Sequence, residues 1–482
     1  MNGTDAGTKG KAADSFPAGN ALDAERVRGR PLPDALQRPG LTLAVTSAAT
    51  AVALMTYTAP MVTLSQTASD LGTPLSAQAW LLNGAPLGLA ALLLVGGSLA
   101  DDFGRRRIFV SGTFALGLAT ALGALAPSTV LFTLARIAQG AASAALLASS
   151  LGLIVHAYAT LQGRIRATGV WGAFVSGGIA VGPLLAASMP SWRLAYVVLG
   201  VAALILAGCG LWGLSESRSP RVGRTDVVGA LTFAAVLVAL VAALTLGRDG
   251  WVRTPVVLLL AAAFLLAAVF ALVERRVATP MIDLALLRRP LFLASSVGGL
   301  FTGLAVIGLF SFLPTLLQQA LGLSAVSTAW LFLLWSGMSF VVALLARHLG
   351  SRLSHRHQMV VGFVLHAAGT LAMLGAVGAG SWTRLLPGLL VAGVGSGLLN
   401  AALPLLAVDS VPVARAAMGS GAQQSFRYLG SCAGVALTIA LTASAHDMAG
   451  GANEAMVVSA GLALVAALGM GLLRERGRMA SN

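Results

Sequence analysis

The chain has 482 residues, 57% of them hydrophobic and only 10% charged, with a mean hydropathy of +0.85. A soluble domain of this length would need roughly a quarter of its residues charged, so the composition excludes one and makes a bilayer the solvent of most of the surface. The formal net charge is +14, but the 31 Lys and Arg fall in short clusters between apolar runs, which is the pattern of basic loops beside a membrane and not of a nucleic-acid surface.

Residues 1–40 are polar and rich in Gly, Ala, Asp and Arg. They read as a disordered cytoplasmic tail without a signal peptide. A helix needs about 20 apolar residues to cross the hydrocarbon core. Fourteen stretches qualify: 41–64, 79–99, 107–126, 129–153, 168–188, 194–214, 227–246, 255–273, 292–316, 326–346, 359–378, 385–407, 418–444 and 456–473. With the N-terminus inside, 25 of the 31 basic residues fall on the cytoplasmic side, four on the outer side and two, Arg136 and Arg427, within spans. That asymmetry puts both termini in the cytoplasm and requires an even number of helices. Trp80, Trp192, Trp251 and Trp382 fall at outer boundaries, where indoles favour the interface.

The two longest internal polar linkers, 215–226 and 274–291, bracket a central pair of spans. The expected plan is an N-terminal six-helix bundle over 41–214, linkers and the central pair over 215–291, a C-terminal six-helix bundle over 292–473 and a short tail over 474–482. Two such halves are a common transporter plan. Cys209 and Cys432 both sit in apolar runs, so neither a disulfide framework nor a zinc site is expected. Lysine occurs only at positions 9 and 11, a bias that fits a high-G+C bacterial genome.

Three motifs stand out in chain order. After the second span the chain reads Gly97-Ser-Leu-Ala-Asp101-Asp102-Phe-Gly104-Arg105-Arg106-Arg107. A glycine turn there lets two helices approach closely, and Asp101 at the membrane edge can pair with arginines or a helix N-terminus. The fourth span holds Arg136-Ile-Ala-Gln139-Gly140. A guanidinium inside a span costs about 2.5–3.5 kcal/mol on insertion scales, so it needs a cavity or a partner. The fifth span runs from Gly169 through Gly178 and Gly182-Pro183 to Ala186-Ala187; small residues four apart permit tight helix contact, and Pro183 removes a backbone bond.

These three segments resemble the cytoplasmic-loop signature, the fourth-helix Arg motif and the fifth-helix exporter signature of the major facilitator superfamily. Within it, the chain is most similar to the fourteen-helix drug:proton antiporter branch. Trp192-Arg193, Pro280-Met-Ile-Asp283 and Arg427-Tyr-Leu-Gly430 add to the resemblance. It implies an all-α membrane fold of two six-helix bundles plus a central pair, in a bacterial plasma membrane. Gly97, Asp101, Gly104, Arg105, Arg106, Gly169, Gly178, Gly182 and Pro183 are then gating residues. The chain departs from the signature at Asp102, where a basic residue is usual, and at Ala186-Ala187, where Gly-Gly is usual. It also has Ala51 where the branch carries a first-helix Asp, and no span has an acidic residue at its centre.

The implied function is secondary active export of a small, antibiotic-like organic molecule by alternating access, coupled to protons. Arg136, Gln139, His366, Gln423, Gln424 and Arg427 are the candidates for contact with substrate or coupling ion. The protein is expected to act as a monomer, without cofactor, metal or nucleic acid. Two other readings stay open: uptake of an anionic or neutral metabolite, and a membrane sensor that transports nothing. No Walker sequence, His-Glu-x-x-His or Gly-x-Ser-x-Gly motif speaks for ATP-driven transport or an enzyme.

Overall fold

The computed structural model describes residues 38–217, 226–247, 252–277, 286, 289–346, 354–411 and 416–472. Both tails, Trp251 and the Pro280–Asp283 segment lie outside the described residues. A helix lies at each predicted span: α1 (Pro39–Thr58, resumed as Pro60–Asp70), α2 (Gln78–Phe103), α3 (Arg105–Ala124), α4 (Thr129–Ala157), α5 (Leu161–Ser188), α6 (Trp192–Gly213), α7 (Val227–Gly247), α8 (Thr254–Arg276), α9 (Pro290–Leu321), α10 (Ala325–Ala346), α11 (His355–Ala372), α12 (Leu385–Asp409), α13 (Ala416–Ser444) and α14 (Met448–Leu472). Eleven are long and apolar enough to cross a bilayer by length and composition, and Gln78–Leu93 and Leu231–Gly247 are shorter apolar stretches. The protein is a multi-pass membrane protein.

Several helices start earlier than their apolar runs. α5 begins at Leu161, seven residues before the predicted edge, because the Thr160 hydroxyl accepts from the amide of Gly163 and caps the helix. α4 and α6 are capped in the same way by Ser128 and Ser191.

Helices α1–α6 pack mainly on one another, as do α9–α14. The two halves use matching seams. In the first, Gly178 and Gly182 of α5 lie against the backbone of α1 at Ala51 and Met55. In the second, Gly430 and Gly434 of α13 lie against Leu300 and Leu304 of α9. A Cβ at any of these four would strike backbone atoms, so only glycine permits the approach. This correspondence of α5 with α13 and of α1 with α9 makes visible an internal repeat that hydropathy alone suggested.

The halves meet where α2 crosses α13 and α5 crosses α10. The central pair packs on itself, and α7 lies on α2 and α13, over one of these two seams. Residues Leu237 and Val241 of α7 share an apolar cluster with Leu87, Ala91 and Cys432.

The first helix of each half, α1 and α9, is interrupted. Pro60 has no N–H, so the Thr56 carbonyl loses its helical donor and α1 breaks at Ala59. In α9 a π-helical turn spans Thr302–Ile307, a rare feature that recurs at functional sites.

Candidate functional site

Arg136 is buried, with 1% of its surface exposed, and its guanidinium is committed to the break in α1. Nη1 donates to the Thr56 carbonyl at 2.7 Å and to Gln139 Oε1 at 2.8 Å, while Nη2 donates to the Tyr57 carbonyl at 3.1 Å. The Thr56 carbonyl is the one orphaned by Pro60. Gln139 is held in turn by a 3.5 Å contact from its amide to the Ala119 carbonyl. The charge therefore completes the backbone of α1 and ties α1 to α4.

Arg427 is placed differently. It is the twelfth residue of α13, about 17 Å along the axis at 1.5 Å per residue. Its one described hydrogen bond is a long one, 3.5 Å from Nη1 to Gln424 Oε1, and its buried Nε has no partner among the described residues. Gln423, Arg427 and Ser431 recur four residues apart and share a helix face. Gln423 is fully buried, and neither its amide nitrogen nor its oxygen has a partner among the described residues.

Facing this stripe is Tyr57, at the break of α1. Its ring meets the edge of Tyr428 with centroids 6.0 Å apart, it lies within electrostatic reach of Arg427, and its hydroxyl lies beside that of Ser431. Tyr57, Met61, Leu82 and Pro86 from the first half and Ser311, Ser431 and Val435 from the second line a small hollow, with room for about one water. It opens on the line where the halves meet. Elsewhere the halves hold each other directly: Asn83 Nδ2 donates to the Cys432 carbonyl at 3.0 Å, Ser425 donates to the Ala90 carbonyl at 3.1 Å, and Gln318 donates to the Val62 carbonyl at 2.8 Å. Every Asp and Glu of the described helices stands near a helix end, so the central region carries positive charge alone.

The loop motif forms a second site at the basic end. Gly104 adopts φ of +109° between α2 and α3, a region that glycine enters freely. Glu216, just past α6, fits into the space its missing side chain leaves: a Cβ on Gly104 would lie 2.6 Å from the carboxylate. Glu216 Oε1 accepts from the Arg106 amide at 3.1 Å, and the Ser217 carbonyl accepts from the Arg105 amide at 3.0 Å. Glu216 thus caps α3 from the segment that follows α6 and places negative charge at its positive end. The Arg105 side chain donates to the Gly152 carbonyl at 3.2 Å, and the Arg106 side chain donates to that of Leu211. Asp101 lies in the last turn of α2, and Gly97, three residues earlier than Ala100, faces open space.

In α5, Gly178, Gly182 and Pro183 are buried against α1, whereas Gly169 has no atom near where its Cβ would be. His366 does not line the hollow beside Tyr57. It lies fully buried on α11, with Nε2 3.1 Å from Ser459 Oγ, which itself donates to the Ala305 carbonyl in the π turn of α9. His366 supports the broken helix from behind. Trp192 is also buried rather than interfacial: its indole donates to Asp70, which pairs with Arg193 at 2.8 Å. Among the described residues no group of His, Cys, Asp and Glu is arranged to hold a metal.

Sequence reasoning missed Tyr57, Tyr428, Asn83, Ser431 and Glu216. The four-residue spacing of Gln423, Arg427 and Ser431 was a usable signal for Ser431. Nothing local marks the others.

A model of the Major Facilitator Superfamily matches residues 46–435. The chain is 36% identical to puromycin resistance protein pur8 of Streptomyces alboniger over 84% of its own length and 83% of that protein's. It is 31% identical to multidrug resistance protein Stp of Mycobacterium tuberculosis, over 74% of the chain and 67% of the relative. Among solved structures it is similar to a bacterial homologue of the human lysosomal transporter Spinster, inward-facing and unoccupied, with a TM-score of 0.64, 15% identity and coverage of 92% and 98% of the two chains. A peptide transporter of the POT family gives a TM-score of 0.65 at 16% identity, over 89% and 93%.

Proposed function

The chain belongs to the Major Facilitator Superfamily, and from that premise we infer that it is a secondary active exporter of a small, antibiotic-like organic molecule. The observation that carries this reading is the hollow between the halves. It is lined from both bundles, bears the adjacent hydroxyl groups of Tyr57 and Ser431, and lies within electrostatic reach of the weakly engaged Arg427 through Tyr57. A molecule bound there touches both halves, so its binding couples to their relative motion. The resistance roles of pur8 and Stp support the outward direction.

In this reading the basic end is cytoplasmic, the protein sits in a bacterial plasma membrane and works as a monomer, and the proton-motive force supplies the energy. Gly104, Arg105, Arg106 and Glu216 form the inner gate, with Asp101 beside them, and the α1–α5 seam is a rolling contact. Arg427, Gln423 and Gln424 meet the substrate, and Arg136 with Gln139 fixes the bend that presents Tyr57. Proton exchange is the coupling that the family resemblance proposes. The test is transport in everted vesicles with a panel of dyes and antibiotics, with and without an uncoupler. Uncoupler-sensitive accumulation of one or more compounds supports export; equilibration without accumulation sinks it.

A further inference from the structure

We infer that Asn400 is a substrate-contact residue: facing a cytoplasmic opening between the halves, its amide oxygen accepts a hydrogen bond from an N–H or O–H group of the exported molecule. The inference rests on the export reading above and adds to it a residue and a chemical requirement.

Asn400 lies on α12, about 14 Å from the inner end of the helix at Asp409, at 1.5 Å per residue. At about 100° per residue it bears between Gly393 and Ala407, about 20° from each. A Cβ on Gly393 would lie 2.8 Å from the Trp335 carbonyl oxygen of α10. The Ala407 carbonyl oxygen lies 2.7 Å from where a Cβ of Gly419 on α13 would be. Asn400 therefore faces between α10 and α13. These helices meet the first half, α10 at α5 and α13 at α2, so this side of α12 looks toward the other half. The lipid face is elsewhere, at Leu405, which is 49% exposed and about 140° away.

Exposure on this face begins at Asn400. Gly393, Ser396 and Gly397, nearer the outer end, are buried, whereas Asn400 is exposed. The outer end is closed, with Met61 and Leu64 of the first half in one apolar cluster with Leu313 and Leu317 of the second. A polar side chain at this depth needs water or a polar partner, so the space before Asn400 opens to the cytoplasmic end. Its Nδ2 donates to Ser339 Oγ of α10 at 3.2 Å, and no described residue donates to its oxygen. One bond thus orients the amide and leaves its acceptor to a molecule in the opening. Arg427 on α13 stands at nearly the same depth, about 17 Å from the inner end of its helix. Arg427 supplies donors, and Asn400 supplies the acceptor. A site built to hydrogen-bond one group discriminates against an analogue that lacks it.

The test has two arms, both with the full chain in everted vesicles. In the first, a membrane-impermeant maleimide is added to the Cys209→Ser background. It is expected to label Asn400→Cys and to spare Leu405→Cys on the lipid face; an inert Asn400→Cys overturns the inference. In the second, energised uptake is compared for rhodamine 123, which has N–H donors, and tetramethylrhodamine methyl ester, the same body with every N–H methylated. The two carry the same charge, so electrostatic effects cancel in the comparison. Asn400→Leu is expected to raise the KM for rhodamine 123 about three- to tenfold, the worth of one neutral hydrogen bond. The KM for the methylated dye should stay within about twofold, and the melting temperature near wild type. Asn400→Ala gives the same comparison if the Leu variant fails to fold. Equal changes for the two dyes, or none, make Asn400 a structural tie to Ser339 and overturn the inference. Uptake of neither dye while other compounds of the panel accumulate overturns the inference alone. A wholly inert panel overturns the export reading with it.

Discussion

The guanidinium of Arg136 donates to the carbonyl of Thr56, the one acceptor in α1 that Pro60 leaves without a helical donor. A charge inside the membrane is matched to a defect in another helix, 80 residues away in sequence. Arg136→Gln should therefore act first on folding. Loss of hydrogen bonds from a charged donor, each worth about 1.5–3 kcal/mol, should lower the melting temperature of the detergent-solubilised protein by several degrees, read by thermal unfolding. A variant that melts like wild type would assign Arg136 to the substrate instead.

Arg427 should behave in the opposite way. With one long hydrogen bond to lose, Arg427→Gln and Arg427→Lys should leave the melting temperature near wild type and still change transport, Lys less than Gln. Collapse of both variants in the same melting assay would make Arg427 a structural residue.

The α1–α5 seam gives a contrast within one helix. A Cβ at Gly182 meets the backbone of Met55 and the hydroxyl of Thr58, whereas one at Gly169 meets nothing. Gly182→Leu should abolish transport, and Gly169→Ala should stay within about twofold of wild type, since small surface changes usually cost less than 0.5 kcal/mol. Equal rates for the two would reduce the fifth-helix motif to a resemblance.

At the basic end, Gly104→Val should cost about 1–2 kcal/mol from its left-handed backbone alone and also displace Glu216. Glu216→Ala removes the acceptor at the start of α3, a capping loss of about 1 kcal/mol. Both variants should reach the membrane in normal amounts and transport slowly, measured as initial rate per unit of protein. Normal rates in both would leave the loop as a topology signal.

Orientation is tested by cysteine labelling in a Cys209→Ser background, since Cys209 is exposed and Cys432 buried. An impermeant maleimide added to whole cells should reach Trp382→Cys, at the far end, and spare Gln162→Cys, at the basic end. The reverse result would invert the protein in the bilayer.

The membrane class, the positions of the helices and the three motif segments were legible in the sequence, because length of apolar run, loop charge and glycine spacing are local properties. The same letters could not separate the roles of Arg136 and Arg427: both read as a cation within a span. Only packing shows that one completes a broken backbone and the other remains nearly free. Tyr57 and Glu216 carry no local mark, because each acts through groups distant in the chain. Asn83 and Cys432 hold the halves together across 349 residues. Hydropathy places a helix in the bilayer, but a hydrogen bond needs a particular atom opposite another, and that register is set only when the helices pack.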